Sequence, residues 1–277
     1  MRLLFTLFTL ASFGGGLYWL ADKNPDLKQK AEEFIDFRTT SALETRFDSA
    51  QVMEMNQKKL LKEKGARYLD PELKFFPFLL MEVKYLDTRN RTKESLILWD
   101  LTDGEMVLDT KNWEKTHGFA DCILSRATPQ ELKILHTLSN NSVSTDTLLA
   151  KFPIETPILD ILLNSCVRKN LIIQTEAGQY RLHLENPKLT TEPKTNLHEQ
   201  LTTRAHKKAT KAKSHFKSSA VERMAKIAFG ETFSIRTKSE IYLPIHRIIV
   251  QNPDGSIQTS HYNGLTGKEL PSARFYQ

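Results

Sequence analysis

The sequence has only two cysteines, Cys122 and Cys166, and neither stands at the spacing from another Cys or His that a zinc site or disulfide framework needs. They read as reduced, structural thiols. The short motifs that carry chemistry are missing as well: there is no glycine-rich phosphate loop, no HExxH, no GxSxG, and no Asp or Glu pair set in a catalytic frame. The eight histidines are scattered. His246 and His261 read as lying on neighbouring strands, the one pair able to converge on a metal, and ordinary strand positions are the simpler reading. These absences exclude the motif-borne enzyme classes. We therefore expect a non-enzymatic protein with no cofactor, no metal and no evident small-molecule substrate.

Long apolar runs are also scarce, which makes the first one informative. Residues 3–21, LLFTLFTLASFGGGLYWLA, are uncharged between Arg2 and Asp22-Lys23, long enough to cross a bilayer. A cleaved signal peptide is the rival reading, with Gly14 and Gly16 as its small residues. Hydrophobicity resumes at Leu17, however, and the Tyr18-Trp19 pair suits a membrane interface, so we expect an uncleaved single-pass anchor over 1–21. Charges of both signs flank it, and the positive-inside rule barely discriminates; the soluble part is taken as cytoplasmic. The whole chain is 40% hydrophobic and 26% charged, the composition of a folded protein, and its 277 residues leave room for two modest domains. A net charge of +6 favours an anionic neighbour.

The chain repeats itself. Phe75-Phe-Pro77 and Tyr242-Leu-Pro244 both open an apolar strand, a polar turn follows (TRNRTKE in one, NPDG in the other), and each copy ends on Leu-Thr-x-x-Glu-apolar, at 101–106 and 265–270. The proline-to-leucine spacing of about 24 residues in one copy and about 21 in the other is a difference a hairpin turn absorbs. A short helical pattern closed by glycine, Gly65 or Gly230, precedes each copy. In the first, Asp48-Ser49 are the caps and Val52, Met53, Met55, Leu60 and Leu61 the apolar positions. This pattern reads as a duplicated helix-hairpin unit. The run 75–81 is apolar on both faces, which expects a central strand. The closing LTGKEL is similar to the end of small PepSY-type domains, which also set a helix before a hairpin.

Between the copies, Thr128-Pro129-Gln130-Glu131 is a capping box that opens a helix through Leu132, Ile134, Leu135 and Leu138. A second helix spans 144–152 and a third starts at Thr156-Pro157. Two strands, 171–174 and 179–183, turn on Glu176-Ala177-Gly178. Three helices and a hairpin in this order resemble a winged helix-turn-helix domain, and the resemblance implies that the third helix would read DNA. With Leu159, Leu162, Leu163 and Cys166 facing the core, its outer face carries Thr156, Asp160, Asn164 and Arg168. That face is nearly neutral, and Glu176 adds an acid on the wing, so protein docking or a purely structural role is favoured over DNA.

A proline- and threonine-rich stretch, 187–197, reads as a linker. After it comes a run in which Arg204, Lys207, Lys208, Lys211, Lys213, Lys217, Arg223 and Lys226 face a single acid, Glu222. Interspersed alanines expect one basic helix over 198–230, and Arg204, Lys207, Lys208, Lys211, Lys213 and Lys217 are the candidate sites for phosphate or acidic lipid.

The expected protein is thus α+β: an anchor (1–21), a stalk (22–47), a first helix-hairpin unit (48–127), a winged-helix-like domain (128–186), the linker, the basic helix, and a second hairpin unit (231–277). Its expected role is that of a membrane-anchored, non-enzymatic adaptor for a protein or an acidic surface. The alternative is a membrane-tethered DNA-binding regulator.

Overall fold

The computed structural model describes residues 41–270 apart from 140–141, 176, 185, 199–200 and 203–209. The anchor, most of the stalk, Glu176, Arg204, Lys207 and Lys208 lie outside the described residues. No helix among those described is long and apolar enough to cross a membrane.

The fold is α+β. In chain order it runs β1 (Ser41–Leu43), α1 (Ser49–Met55), α2 (Gln57–Leu60), β2 (Arg67–Tyr68), β3 (Glu72–Leu86), β4 (Thr92–Asp100), β5 (Met106–Asp109), β6 (Glu114–Lys115) and α3 (Phe119–Leu124). The helical module follows as α4 (Pro129–Leu138), β7 (Val143–Ser144), α5 (Thr145–Lys151), α6 (Thr156–Arg168), β8 (Ile172–Gln174) and β9 (Gln179–Leu182). The chain then returns through β10 (Leu201–Thr202), β11 (Thr210–Lys211), α7 (Ser218–Phe229), β12 (Ser234–Gln251), β13 (Ile257–Asn263) and β14 (Glu269–Leu270). Where capping chemistry was legible the helices start as expected: Asp48 and Gln51 box α1, Thr128 and Glu131 box α4.

The two long hairpins join one sheet through an antiparallel β3–β12 pair. Its register sets Phe76 opposite Leu243, with Pro77 opposite Tyr242 and Phe75 opposite Pro244 on either side. The aromatic-x-proline of one strand thus lies head to tail on that of the other, about a local two-fold axis through Phe76 and Leu243. Every residue from Phe75 to Met81 is buried, as a strand between two neighbours requires. Leu79, Met81 and Val83 point to the face covered by α3, α4 and α7, whereas Phe76, Phe78 and Leu80 join Leu98, Leu243 and Ile245 on the other.

Each half lends its first strand and helix to the other half's hairpin. β1 pairs with β12 in parallel, Ala42 opposite Tyr242, and β11 pairs with β3, Lys211 opposite Phe75. Val52 of α1 packs with Ile248, Val250 and Tyr262; Val221 and Met224 of α7 pack in the core of Leu79, Met81 and Val83. The exchange rests on a motif the hairpin comparison misses, Phe-x-Ser-x-x-Val-x-x-Met, at Phe47–Met55 and again at Phe216–Met224. Backbone amides of Arg46 and Phe47 donate to Gly264 O, and those of His215 and Phe216 donate to Leu101 O.

These bonds correct the alignment of the closing tails. Asp100 corresponds to Asn263: each donates its amide to the carbonyl five residues on (Glu105, Lys268), accepts from the glycine four on (Gly104, Gly267), and caps the amide two on with its side chain. Gly104 and Gly267 both have positive φ, +77° and +67°. The shared Leu-Thr letters are therefore one position out of structural register, because the Asx side chain and the glycine define this turn.

The basic run is not one helix. Its described part is a strand at 210–211, an irregular stretch, and α7 from Ser218. The amides of His215 and Phe216 are committed to Leu101 O, so tertiary bonds override the alanine-rich propensity. The linker is docked rather than loose. Pro193 and Thr195 are buried, and the Thr195 hydroxyl accepts from Leu98 N and donates to Val107 O at 2.6 Å, spanning the gap where β5 splays from β4.

Candidate functional site

Of the six cations marked by the sequence, Lys211, Lys213 and Lys217 can be placed, and they share no helix face. Lys211 lies in β11 with its Nζ 4.8 Å from the Tyr242 ring centroid, a cation–π contact. Lys213 is exposed in the irregular stretch, and Lys217 is the exposed N-cap of α7, where its side chain makes no cap hydrogen bond. A cation at that end opposes the helix dipole.

The helical module is built as its capping signals indicate. Glu131, the buried N3 partner in the α4 box, also takes Ser165 Oγ and Lys169 Nζ from α6, at 2.7 and 2.6 Å. Burial pushes its carboxyl up, but the Lys169 and Ser165 hydrogen bonds prevail and hold it below the usual range. This pair locks α6 across α4. Leu159, Leu163 and Cys166 are buried and Leu162 half-buried, while Thr156, Asp160, Asn164 and Arg168 are exposed as expected. Periodicity assigned the core face but not three further apolar groups outside it: Ile158 is 47%, Ile161 65% and Val167 37% exposed. Ile158 and Ile161 lie three apart on one stripe of the helix. Strand β7 pairs with β9 beside β8, completing a small three-stranded sheet next to the helices.

The densest buried polar cluster is one the sequence did not reveal. Lys115 of β6 is buried between Asp100, with which it forms an ion pair, and Asp103 at 3.0 Å, with its Nζ 5.1 Å from the Phe78 ring centroid. Burial alone would raise the Asp100 carboxyl; Lys115 and the Thr102 bonds outweigh it and hold the group below its usual value. Beside it, Glu105 accepts from the amides of Gly118 and Ala120 and from Thr116 Oγ1. There desolvation prevails and the carboxyl titrates high. Asp103 and Glu105 follow Asp100 by three and five positions through one turn, but Lys115 arrives from a separate strand, so no local spacing signals the cluster.

The hollow at the local axis, lined by Phe76, Phe78, Asp100, Trp113 and Leu243 among others, has an internal volume of about 10 Å³, room for about one water molecule. Burial pushes both thiols up to about 12, so neither is a nucleophile at neutral pH. His246 stands opposite Tyr262 and His261 opposite Arg247, which puts the two imidazoles on opposite faces of the sheet, unable to share a metal. Among the described residues no three His, Cys, Asp or Glu side chains gather as a metal site would need. No family model, curated protein or solved structure matches this chain.

Proposed function

We propose that this protein is a non-enzymatic adaptor, held at a membrane by residues 1–21, that docks a protein partner on the outer face of α6. The observation that carries this reading is the exposure of Ile158 and Ile161, three apart on one stripe of that helix. A helix reading the major groove presents donors to base edges and cations to phosphate. This one presents two isoleucines and an acid, with Arg168 at its far end. Apolar side chains framed by polar ones suit a protein interface. In this reading the two hairpins are copies of one duplicated unit whose sheet is the rigid base for the module, since Phe76, Phe78 and Leu98 of one share a core with Ile241, Leu243 and Ile245 of the other. The test is a photo-crosslinking residue at position 161 in the full chain in cells. A discrete crosslinked protein that disappears with Ile158→Ser is expected; crosslinking indifferent to Ile158→Ser overturns the reading.

A membrane-tethered DNA-binding regulator is the second reading. It is favoured by the element order helix, strand, helix, helix, hairpin over 129–182, which is that of winged helix-turn-helix domains. Changing Lys207, Lys208, Lys211 and Lys213 to glutamine separates the two: several-fold weaker binding to duplex DNA with a shallower salt slope supports this reading, and a loss confined to anionic vesicles points to lipid.

A further inference from the structure

The two copies of Phe-x-Ser-x-x-Val-x-x-Met end in opposite surroundings. Met224 of α7 is fully buried, with Val221 and Ala225, because α3 and α4 pack against that helix. Met55, at the same place in α1, has no such cover: its methyl lies beside Gly267, and the residue is 61% exposed. The positions that follow diverge to match. In the covered copy they are Ala225, Ile227 and Ala228, all packed in or against the core. In the open copy they are Asn56, Lys58 and Lys59, the two lysines exposed.

Cations gather around this methionine. Lys58, Lys59, Lys62, Lys64 and Arg67 are all exposed over residues 58–67, and Lys268 is exposed next to Gly267, with Glu54 and Glu63 opposing them. Lys59 pairs with Glu269, and Arg67 hydrogen-bonds Gln251. Lys58, Lys62, Lys64 and Lys268 enter no ion pair among the described residues. A protein helix packing here as α3 and α4 pack on α7 would need apolar neighbours for Met55, and the chain supplies an amide and lysines in their place. Cations framing one apolar side chain suit a bilayer interface instead, the cations at the headgroups and the apolar group at the acyl boundary.

We propose that α1, α2 and the loop leading to β2 form a surface that lies on anionic lipid headgroups, with Lys58, Lys62 and Lys64 at the headgroup charges and Met55 beneath them. The proposal takes its membrane from the anchor reading of residues 1–21. This surface is the first helical part of the described fold to follow that segment in the chain. An anchored chain holds the surface at high effective concentration beside the bilayer, so the weak attraction of each lysine suffices.

The test uses the full chain in nanodiscs, with an environment-sensitive fluorophore on Met55→Cys; Cys122 and Cys166 are buried and do not compete for the label. On discs of phosphatidylcholine with phosphatidylserine, emission should shift to the blue relative to discs of phosphatidylcholine alone. High salt should abolish the shift, and so should Lys58→Gln/Lys62→Gln/Lys64→Gln, which alters exposed side chains only and should melt with the parent. A fluorophore on Asp146→Cys, in the helical module, should stay unshifted on both discs. Emission at position 55 indifferent to phosphatidylserine overturns the proposal. So does a shift that survives the triple substitution, which would assign the attraction to cations elsewhere in the chain. Retention on neutral discs reads the anchor separately: a chain that elutes apart from neutral discs yet shifts on anionic ones keeps the lipid-facing surface and loses the anchor.

Discussion

The turns after β4 and after β13 hold their backbones with the same bonds yet carry opposite chemistry. Asp100 is a buried carboxylate answered by Lys115; Asn263, in the same place, is a neutral amide whose Nδ2 has no hydrogen-bond partner among the described residues. Backbone geometry there is set by an Asx side chain and a positive-φ glycine, and either chemistry satisfies it. The difference follows from what each half was given to hold. The first hairpin leads through β5 and β6 into α3 and the helical module, and Lys115 ties that exit to the turn.

The largest effect should come from breaking this contrast on one side. Lys115→Met leaves Asp100 buried without its cation and should cost about 3–5 kcal/mol by urea unfolding. Adding Asp100→Asn gives the first turn the amide chemistry of the second and should recover most of that loss. A double variant as unstable as the single one would show that the two turns are not interchangeable. The sign with pH follows from Asp100: its folded pKa is lowered, so its contribution is present above the unfolded value of 3.8 and lost as pH falls through the folded one. The double variant should lack this acid loss.

His261 separates the halves again, for its place in the first hairpin is held by Leu98. Burial first, then Arg247 and Lys74, with Glu72 opposing, lower its pKa from 6.5 to about 4. A base with a depressed folded pKa leaves stability whole above pH 6.5 and drains it as pH falls toward 4, since the unfolded chain takes the proton first. The full loss is about 3 kcal/mol. His136, also lowered by burial, acts in the same direction. Wild type measured against His261→Gln isolates the first from the second, and parallel pH curves for the two would remove His261 from the account.

The two turn glycines should differ less. A Cβ on Gly104 would meet the Phe216 ring at 2.8 Å, whereas on Gly267 the nearest atom of Phe47 is at 3.3 Å. Both substitutions strain a positive φ, at about 1 kcal/mol. Gly104→Ala adds overpacking, for about 3 kcal/mol in all by thermal unfolding, and Gly267→Ala stays near about 1–2 kcal/mol. Equal losses would mean that Phe216 yields as easily as Phe47.

Much of this was legible from local signals. Cap residues at Asp48-Ser49 located α1 and a capping box α4, the doubly apolar run 75–81 located the central strand, and the paired aromatic-x-proline marked the two hairpins that meet at the axis. What stayed hidden depends on distant partners. The exchange of β1 and β11 uses two or three residues each, too short for any periodicity, and its markers Phe47 and Phe216 declare themselves only by their contacts with Gly267 and Gly104. The run 198–230 read as helix because alanine propensity is local while the bonds of His215 and Phe216 to Leu101 are not. On α6, spacing assigned the buried stripe, but amphipathic reasoning left Ile158 and Ile161 unassigned, and their exposure was visible only once the helix was set against its neighbours.

Thr195 offers the smallest test. Its hydroxyl does in the first half what a direct strand bond does elsewhere, accepting from Leu98 N and donating to Val107 O inside the core. Thr195→Val keeps the shape and removes both bonds, leaving a buried N–H and a buried C=O unpaired, for a cost of about 2 kcal/mol. Thr195→Ser keeps the hydroxyl and should recover most of it. If the bridge is what stands in for the β4–β5 ladder, exchange of the Leu98 amide should rise in the valine variant alone, while Trp99, on the opposite phase of β4 and bonded to β3, is unchanged. A valine variant that leaves Leu98 protected would mean that β5 closes onto β4 once the hydroxyl is gone, and that the splay is imposed by the docked segment instead of being filled by it.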